Sequence, residues 1–185
     1  MGDSLVNVST RNRFLNRECN LLPPVESRTL FTMASSTNTD AGLPVSCQCG
    51  RISFTTPPAS TMTGIAHCHC TDCRKQSASA FGTSAWFAAD KVFPLPADVQ
   101  DKFAIYERVA DSGNQMHCYF CPKCGVRVMH TRYDESKGGY WGRVSFKGGC
   151  VEGLDWSKAI HIFTRSKVVQ LPEGAVAYET VPPGI

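Results

Sequence analysis

Phe120-Cys121-Pro122-Lys123-Cys124-Gly125, read with Val45-Ser46-Cys47-Gln48-Cys49-Gly50, is the stretch that decides the fold. Two close cysteine pairs far apart in the chain supply four thiolates, the number that closes a tetrahedral zinc site. Cys121 and Cys124 occupy a tight turn between two candidate strands, where Gly125 gives the backbone freedom such a knuckle needs. A metal on Cys47, Cys49, Cys121 and Cys124 would close a long loop that a sheet of short strands would otherwise close alone.

Between these pairs lies His67-Cys68-His69-Cys70-Thr71-Asp72-Cys73-Arg74, with three further cysteines in close succession. If the segment is extended, Cys68 and Cys70 point the same way, and a turn at Thr71-Asp72 returns Cys73 to them. Three thiolates leave one coordination position for water or substrate, which distinguishes a catalytic zinc from a structural one. They would also leave a net negative charge, for Arg74 and Lys75 to offset. His67 or His69 could supply a fourth ligand and close the site, although alternation turns His69 away from its neighbours. A second scaffolding zinc is therefore a competing reading, and iron–sulfur ligation is disfavoured by the spacing.

The ten cysteines of this 185-residue chain do not read as a disulfide framework. Met1 to Arg17 is polar and lacks the apolar core of a secretory signal, so a reducing, cytoplasmic setting is expected. Cys118, in Cys118-Tyr119-Phe120-Cys121, is read as a buried strand thiol, and Cys19 and Cys150 as ordinary free cysteines. A net charge of +3, from 19 Lys and Arg scattered along the chain, gives no basic stripe and no support for nucleic-acid binding. No apolar run approaches the roughly 18 residues needed to cross a bilayer. Nothing in the residues sets the oligomeric state.

Residues 1–42 are rich in Ser, Thr and Asn and are read as a disordered or loosely packed leader. Its arginines suggest a mitochondrial presequence, against which Asp3, Glu18 and Glu26 argue; alternatively translation starts at Met33. Residues 43–173 form the zinc-binding domain and 174–185 a tail. Within the domain, β-rich runs are read as strands at Arg51–Phe54, Ala85–Phe87, Phe103–Tyr106, Met116–Phe120, Val126–His130, Tyr140–Phe146 and Ala159–Phe163. Pro57-Pro58, Pro94-Leu95-Pro96, Asp111 to Asn114 and Gly148-Gly149 punctuate them, and Thr71–Gln76 is the one helical turn, with Asp72 as its cap. The fold class is mainly β, short antiparallel sheets pinned by zinc.

The order Cys47-x-Cys49-Gly50, Cys68-His69-Cys70-x-x-Cys73-Arg74 with Ser77-Ala78-Ser79-Ala80-Phe81, Ser112-Gly113-Asn114, Phe120-Cys121-x-x-Cys124-Gly125 and His161 to Ser166 resembles the glutathione-dependent formaldehyde-activating enzyme family, which includes the centromere protein V type domain. The resemblance spans about Val45 to Leu171 and implies an Mss4-like fold. It implies a structural zinc on Cys47, Cys49, Cys121 and Cys124 and a second, catalytic zinc on Cys68, Cys70 and Cys73. It also implies a carbon–sulfur lyase or synthase forming S-(hydroxymethyl)glutathione from formaldehyde and glutathione, its small-molecule partners. Cys118 and the segment Lys147 to Asp155 depart from the family pattern and bear on the substrate.

In such an enzyme zinc would either acidify the thiol or polarise the aldehyde oxygen. A glutathione-like thiol carries two carboxylates, so Arg74, Lys75, Arg127 and Arg143 are candidate anchors, each alternatively a solvated surface charge. Trp86 and Trp141 are read as core or sheet-face aromatics, and Ser77, Phe81 and Asn114 as motif residues without an assigned role. The alternative class is a non-catalytic binding module in which both zincs are structural. A redox role for Cys118 with Cys121 is a third reading.

Overall fold

A computed structural model describes residues 41–183. The leader, including Cys19 and Met33, lies outside the described residues. The chain runs β1 (Gly42–Ser46), β2 (Ser53–Pro58), β3 (Gly64–Cys68), α1 (Thr71–Ser77), β4 (Gly82–Ala88), α2 (Ala89–Val92), α3 (Ala97–Gln100), β5 (Ala104–Val109), β6 (Gln115–Phe120), β7 (Arg127–Asp134), β8 (Gly139–Lys147) and β9 (Ala159–Ile162). The fold is mainly β, as the sequence indicates. A two-stranded hairpin, β1-β2, faces a seven-stranded sheet of order β5-β6-β7-β8-β4-β3-β9, antiparallel except where β9 runs parallel to β3.

Strict alternation gives the large sheet two different faces. The pairing register places Ile65, Ala85, Phe146, Met129 and Tyr119 in a row on one face. There they pack with Phe87 and Val144 against Val45, Ile52 and Phe54 of the hairpin, forming the main core. Phe146 is its centre, its ring 6.0 Å from Phe54 and 5.6 Å from Phe87. The same register puts Cys68, Trp86, Ser145, His130, Met116 and Arg108 on the opposite face. That face is concave: Arg108 of β5 bonds Asp72 of α1 at 2.6 Å, although β6, β7, β8 and β4 separate β5 from the strand that leads into α1. Only a curled sheet brings its two sides together in this way.

Three departures from the sequence reading have physical causes. The second strand continues through Pro57-Pro58, read as a turn, because β2 pairs only with β1 and an edge strand tolerates missing donors. Gly64–Cys68 is a strand that the apolar pattern does not reveal, since Ile65, Ala66 and Cys68 on its two faces are all buried. Asp72 does not cap α1; Cys70 does, its Sγ accepting from the Cys73 amide at 3.4 Å, which frees Asp72 to pair with Arg108.

Candidate metal centres and pocket

Cys47, Cys49, Cys121 and Cys124 bring their sulfurs within 4.8 Å of one another. Cys49 Sγ lies 3.6 Å from Cys47 Sγ and 3.8 Å from Cys121 Sγ, across 72 residues of chain. Each pair sits in a turn completed by a glycine with positive φ, Gly50 at 73° and Gly125 at 74°, a conformation that other residues enter only with strain. The turns aim backbone amides at the thiols. Ile52 N–H donates to Cys47 Sγ at 3.3 Å and holds that thiol below its usual value against the opposing pull of burial. Cys124 is lowered to about 6, chiefly by the Val126 amide. Cys47, Cys121 and Cys124 belong to the main core, so this cluster welds the hairpin to the sheet.

Cys68, Cys70 and Cys73 also converge, their sulfurs within 4.8 Å of one another. They come from the end of β3, the cap of α1 and its first turn, and lie in the smaller apolar cluster on the concave face with Trp86 and Ile162. The two sets therefore lie on opposite faces of one sheet. Hydrogen bonds from Cys68 and Cys70 hold the Cys73 thiol far below its usual value, while the same contacts and burial push Cys68 far up. Cys70 ends above its usual value because Cys73 and burial outweigh the lowering contact with Cys68. Three thiols this close cannot all ionise without a cation among them. Both donor sets fit a thiophilic metal ion.

The histidines face elsewhere. His69 is fully buried, with its amide donating to Ile162 O at 2.9 Å, its carbonyl accepting from Ser166 Oγ at 3.2 Å, and its Nε2 paired with His161 Nδ1 at 2.9 Å. His67 stacks on Trp156, ring centroids 5.7 Å apart, and burial lowers its pKa. Among the described residues no His, Cys, Asp or Glu joins the three thiols as a fourth member. The strand and loop that end the domain thus clamp the residue between two of the sulfurs.

The trio lies at the edge of a pocket of about 410 Å³ on the concave face, within the usual size range for small-molecule sites. Trp86, Arg108, His130, Arg132, Arg143 and Arg165 line it with the three cysteines, and Thr180 and Val181 close one side. The latter are held there because residues 176–180 hydrogen-bond along β9 and its exit, as in His161 N–H to Val176 O at 2.8 Å.

The candidate anchors separate cleanly. Arg143 lines the pocket; Arg74 is committed to Ser166 O at 2.8 Å, Lys75 is exposed on α1, and Arg127 lies over the Tyr106 ring. Among the charges around the trio, Lys147 and Arg108 act to lower Cys73. Arg108, Arg132, Arg165, His130 and Lys147 escaped the sequence reading. The available signal was weak: alternate positions 130–132 and 143–145–147 are polar, but only the strand register shows that they share a face.

Other motif residues shape the walls. Ser77 Oγ donates to Cys73 O at 2.8 Å and Phe81 O at 3.1 Å, and the Phe81 ring packs on His67 and His69. Asn114 donates to Ser112 Oγ within a hairpin turn at the rim. Trp86 is buried and forms pocket wall, whereas Trp141 sits between Arg132 and Lys137. Cys118 is fully buried on β6 and belongs to neither sulfur cluster.

A family model described as glutathione-dependent formaldehyde-activating enzyme matches residues 43–166. The chain belongs to that family. Its members' description, formaldehyde activation with glutathione, fits a small pocket edged by thiols. None of the curated proteins compared with the chain matches it. No helix among the described residues is long and apolar enough to cross a membrane.

Proposed function

We propose that this formaldehyde-activating family member is a zinc-dependent carbon–sulfur lyase or synthase that interconverts S-(hydroxymethyl)glutathione with formaldehyde and glutathione, or a close thiol–aldehyde pair. The observation that carries the reading is the trio Cys68, Cys70 and Cys73, gathered at the pocket edge with no fourth side chain from the described residues. Cys47, Cys49, Cys121 and Cys124 would hold a structural zinc on the opposite face, and the trio a second one. When bound to the trio, zinc supplies an open coordination position and a charge that acidifies a thiol.

The chain's own residues do the rest. In the synthetic direction the thiol sulfur forms a bond to the aldehyde carbon, the carbonyl π pair moves to oxygen, and the thiol's proton ends on that oxygen; cleavage reverses each step. Trp86 and Ile162 line the cysteine side of the pocket with apolar surface and keep water from the reacting carbon. The buried ammonium of Lys147 and the guanidinium of Arg108 offset the charge of the thiolates. The Arg108–Asp72 pair fastens α1, and with it Cys73, to the far side of the sheet.

The test is adduct formation followed by NMR with the purified, zinc-containing protein, formaldehyde and glutathione. The protein should accelerate the exchange above its uncatalysed rate, and Cys70→Ser should abolish the acceleration while the domain stays folded. No acceleration with glutathione or any of a panel of small thiols would overturn the reading in favour of a binding module.

A further inference from the structure

The two arginines at the middle of the concave face carry charge without an anionic partner. Arg143 stacks on Trp86, its Cζ 4.4 Å from the ring centroid, and its buried Nη1 has no hydrogen-bond partner. Arg132, also in the pocket wall, stacks on Trp141 at 4.8 Å. Neither forms an ion pair among the described residues. Of the two carboxylates in the pocket lining, Asp72 is taken by Arg108, and Asp111 lies on an exposed turn.

This arrangement is built rather than incidental. A bulge in the β7–β8 pairing skips two residues of β8, so that Thr131 faces Val144 while Arg132 faces Trp141. Bulges of this kind re-aim side chains. Here each guanidinium carbon sits over an indole ring, which helps hold the planar fork in place. Burial, with the like charge of Arg132, lowers Arg143 to about 10, so an anion arriving at the pair would relieve a standing cost. The Cys68 sulfur is close enough to act on Arg143 electrostatically, which puts thiol chemistry and guanidinium in one pocket.

We propose that Arg143, seconded by Arg132, anchors a carboxylate of the thiol substrate, so that the pocket selects thiols carrying an anionic group at a distance from the sulfur. The inference rests on reading the pocket as a thiol site. A planar carboxylate fits the fork of a stacked guanidinium, and a hydrogen bond to a charged group accounts for a loss on the order of 10- to 100-fold when the fork is removed.

The test measures binding, separately from turnover. S-methylglutathione and its diethyl ester are titrated calorimetrically into the full-length, zinc-containing protein, its Arg143→Met and Arg143→Lys variants, and each again with inorganic phosphate present. The acid should bind the wild type at least tenfold more tightly than the ester. Arg143→Met should remove that preference, and Arg143→Lys should restore only part of it, while circular dichroism reports the native fold for both. Equal binding of acid and ester, equal binding of the acid to wild type and Arg143→Met, or no binding of the acid to the wild type would each overturn the proposal. So would displacement by phosphate with no acid–ester preference, which would mark a site for free inorganic anions. Acid-selective binding without catalysed adduct exchange would uphold the anchor and sink the proposed reaction, so the two fail separately.

Discussion

Replacing Cys121 by serine should damage the fold far more than replacing Cys70, and the structure sets the scale of the difference. With zinc in both clusters, the outlying pairs cross-link positions 72 residues apart, and Cys121 is fully buried in the main core. The loop-entropy relation for a cross-link of that span gives about 4 kcal/mol. The central trio spans only Cys68 to Cys73, within one strand end and the helix turn that follows it, and the same relation gives about 2 kcal/mol. For a domain of this size those losses correspond to melting-temperature drops of roughly 8–16 °C and 4–8 °C. The assay is thermal unfolding by circular dichroism, paired with metal analysis of each variant. Each substitution should cost about one zinc, but only Cys121→Ser should move the protein toward unfolding at ordinary temperatures. Equal drops for the two variants would refute the division into a cluster that closes the fold and one that serves the pocket.

Phe146→Ala, at the centre of the core, should destabilise the domain by about 3–5 kcal/mol in urea titrations, and a loss below about 1 kcal/mol would mean that the hairpin does not pack there. A double-mutant cycle on Asp72→Ala and Arg108→Ala should give a coupling of about 1 kcal/mol that shrinks as salt is added, Asp72 being partly exposed; zero coupling at low salt would show that the pair does not tie α1 to β5. Burial, then the hydrogen bond with Tyr140, raises the Tyr119 phenol well above its usual range. Its folded pKa exceeds its unfolded one, so the stability this group contributes is complete below about pH 10 and declines as pH rises further. Ultraviolet titration should therefore find one phenol that ionises only with unfolding, and reversible ionisation of every tyrosine near pH 10 in the native state would contradict its placement.

Much of the fold was legible because the signals were local. Cysteine pairs beside Gly50 and Gly125 announce knuckles, and runs such as Met116–Phe120 carry strand propensity. β3 was not legible, since strand alternation needs a wet face and Gly64–Cys68 is covered by β4 and β9 on its sides and by apolar clusters above and below. The pocket was half legible. Its sulfurs lie in one contiguous motif, whereas its cations come one at a time from β5, β7, β8 and the turn after β9, and those on the strands meet only through the register. Sequence adjacency offered Arg74 and Lys75 for the charge offset, but it could not offer Lys147 and Arg108, which lower Cys73 from other strands of the sheet.

The period of two along β3 explains how one domain can keep two sulfur centres apart. Ile65 and His67 turn toward the hairpin side, while Ala66 and Cys68 turn toward the pocket. Since β4 and β9 register against β3 residue by residue, a slip of one position would send Cys68 into the core and His67 into the pocket. The parallel pairing with β9 is what resists that slip: His69 N–H to Ile162 O and the His69–His161 ring contact lock the end of β3, between the first two sulfurs of the trio. The cluster built from the outlying pairs acts on the other face, through Val45 and Ile52 of the hairpin, and makes no demand on that register. Fold closure and pocket geometry are thus assigned to different residues on different faces, and this is why a serine at Cys70 is expected to empty the metal site proposed there without dismantling the sheet that carries it.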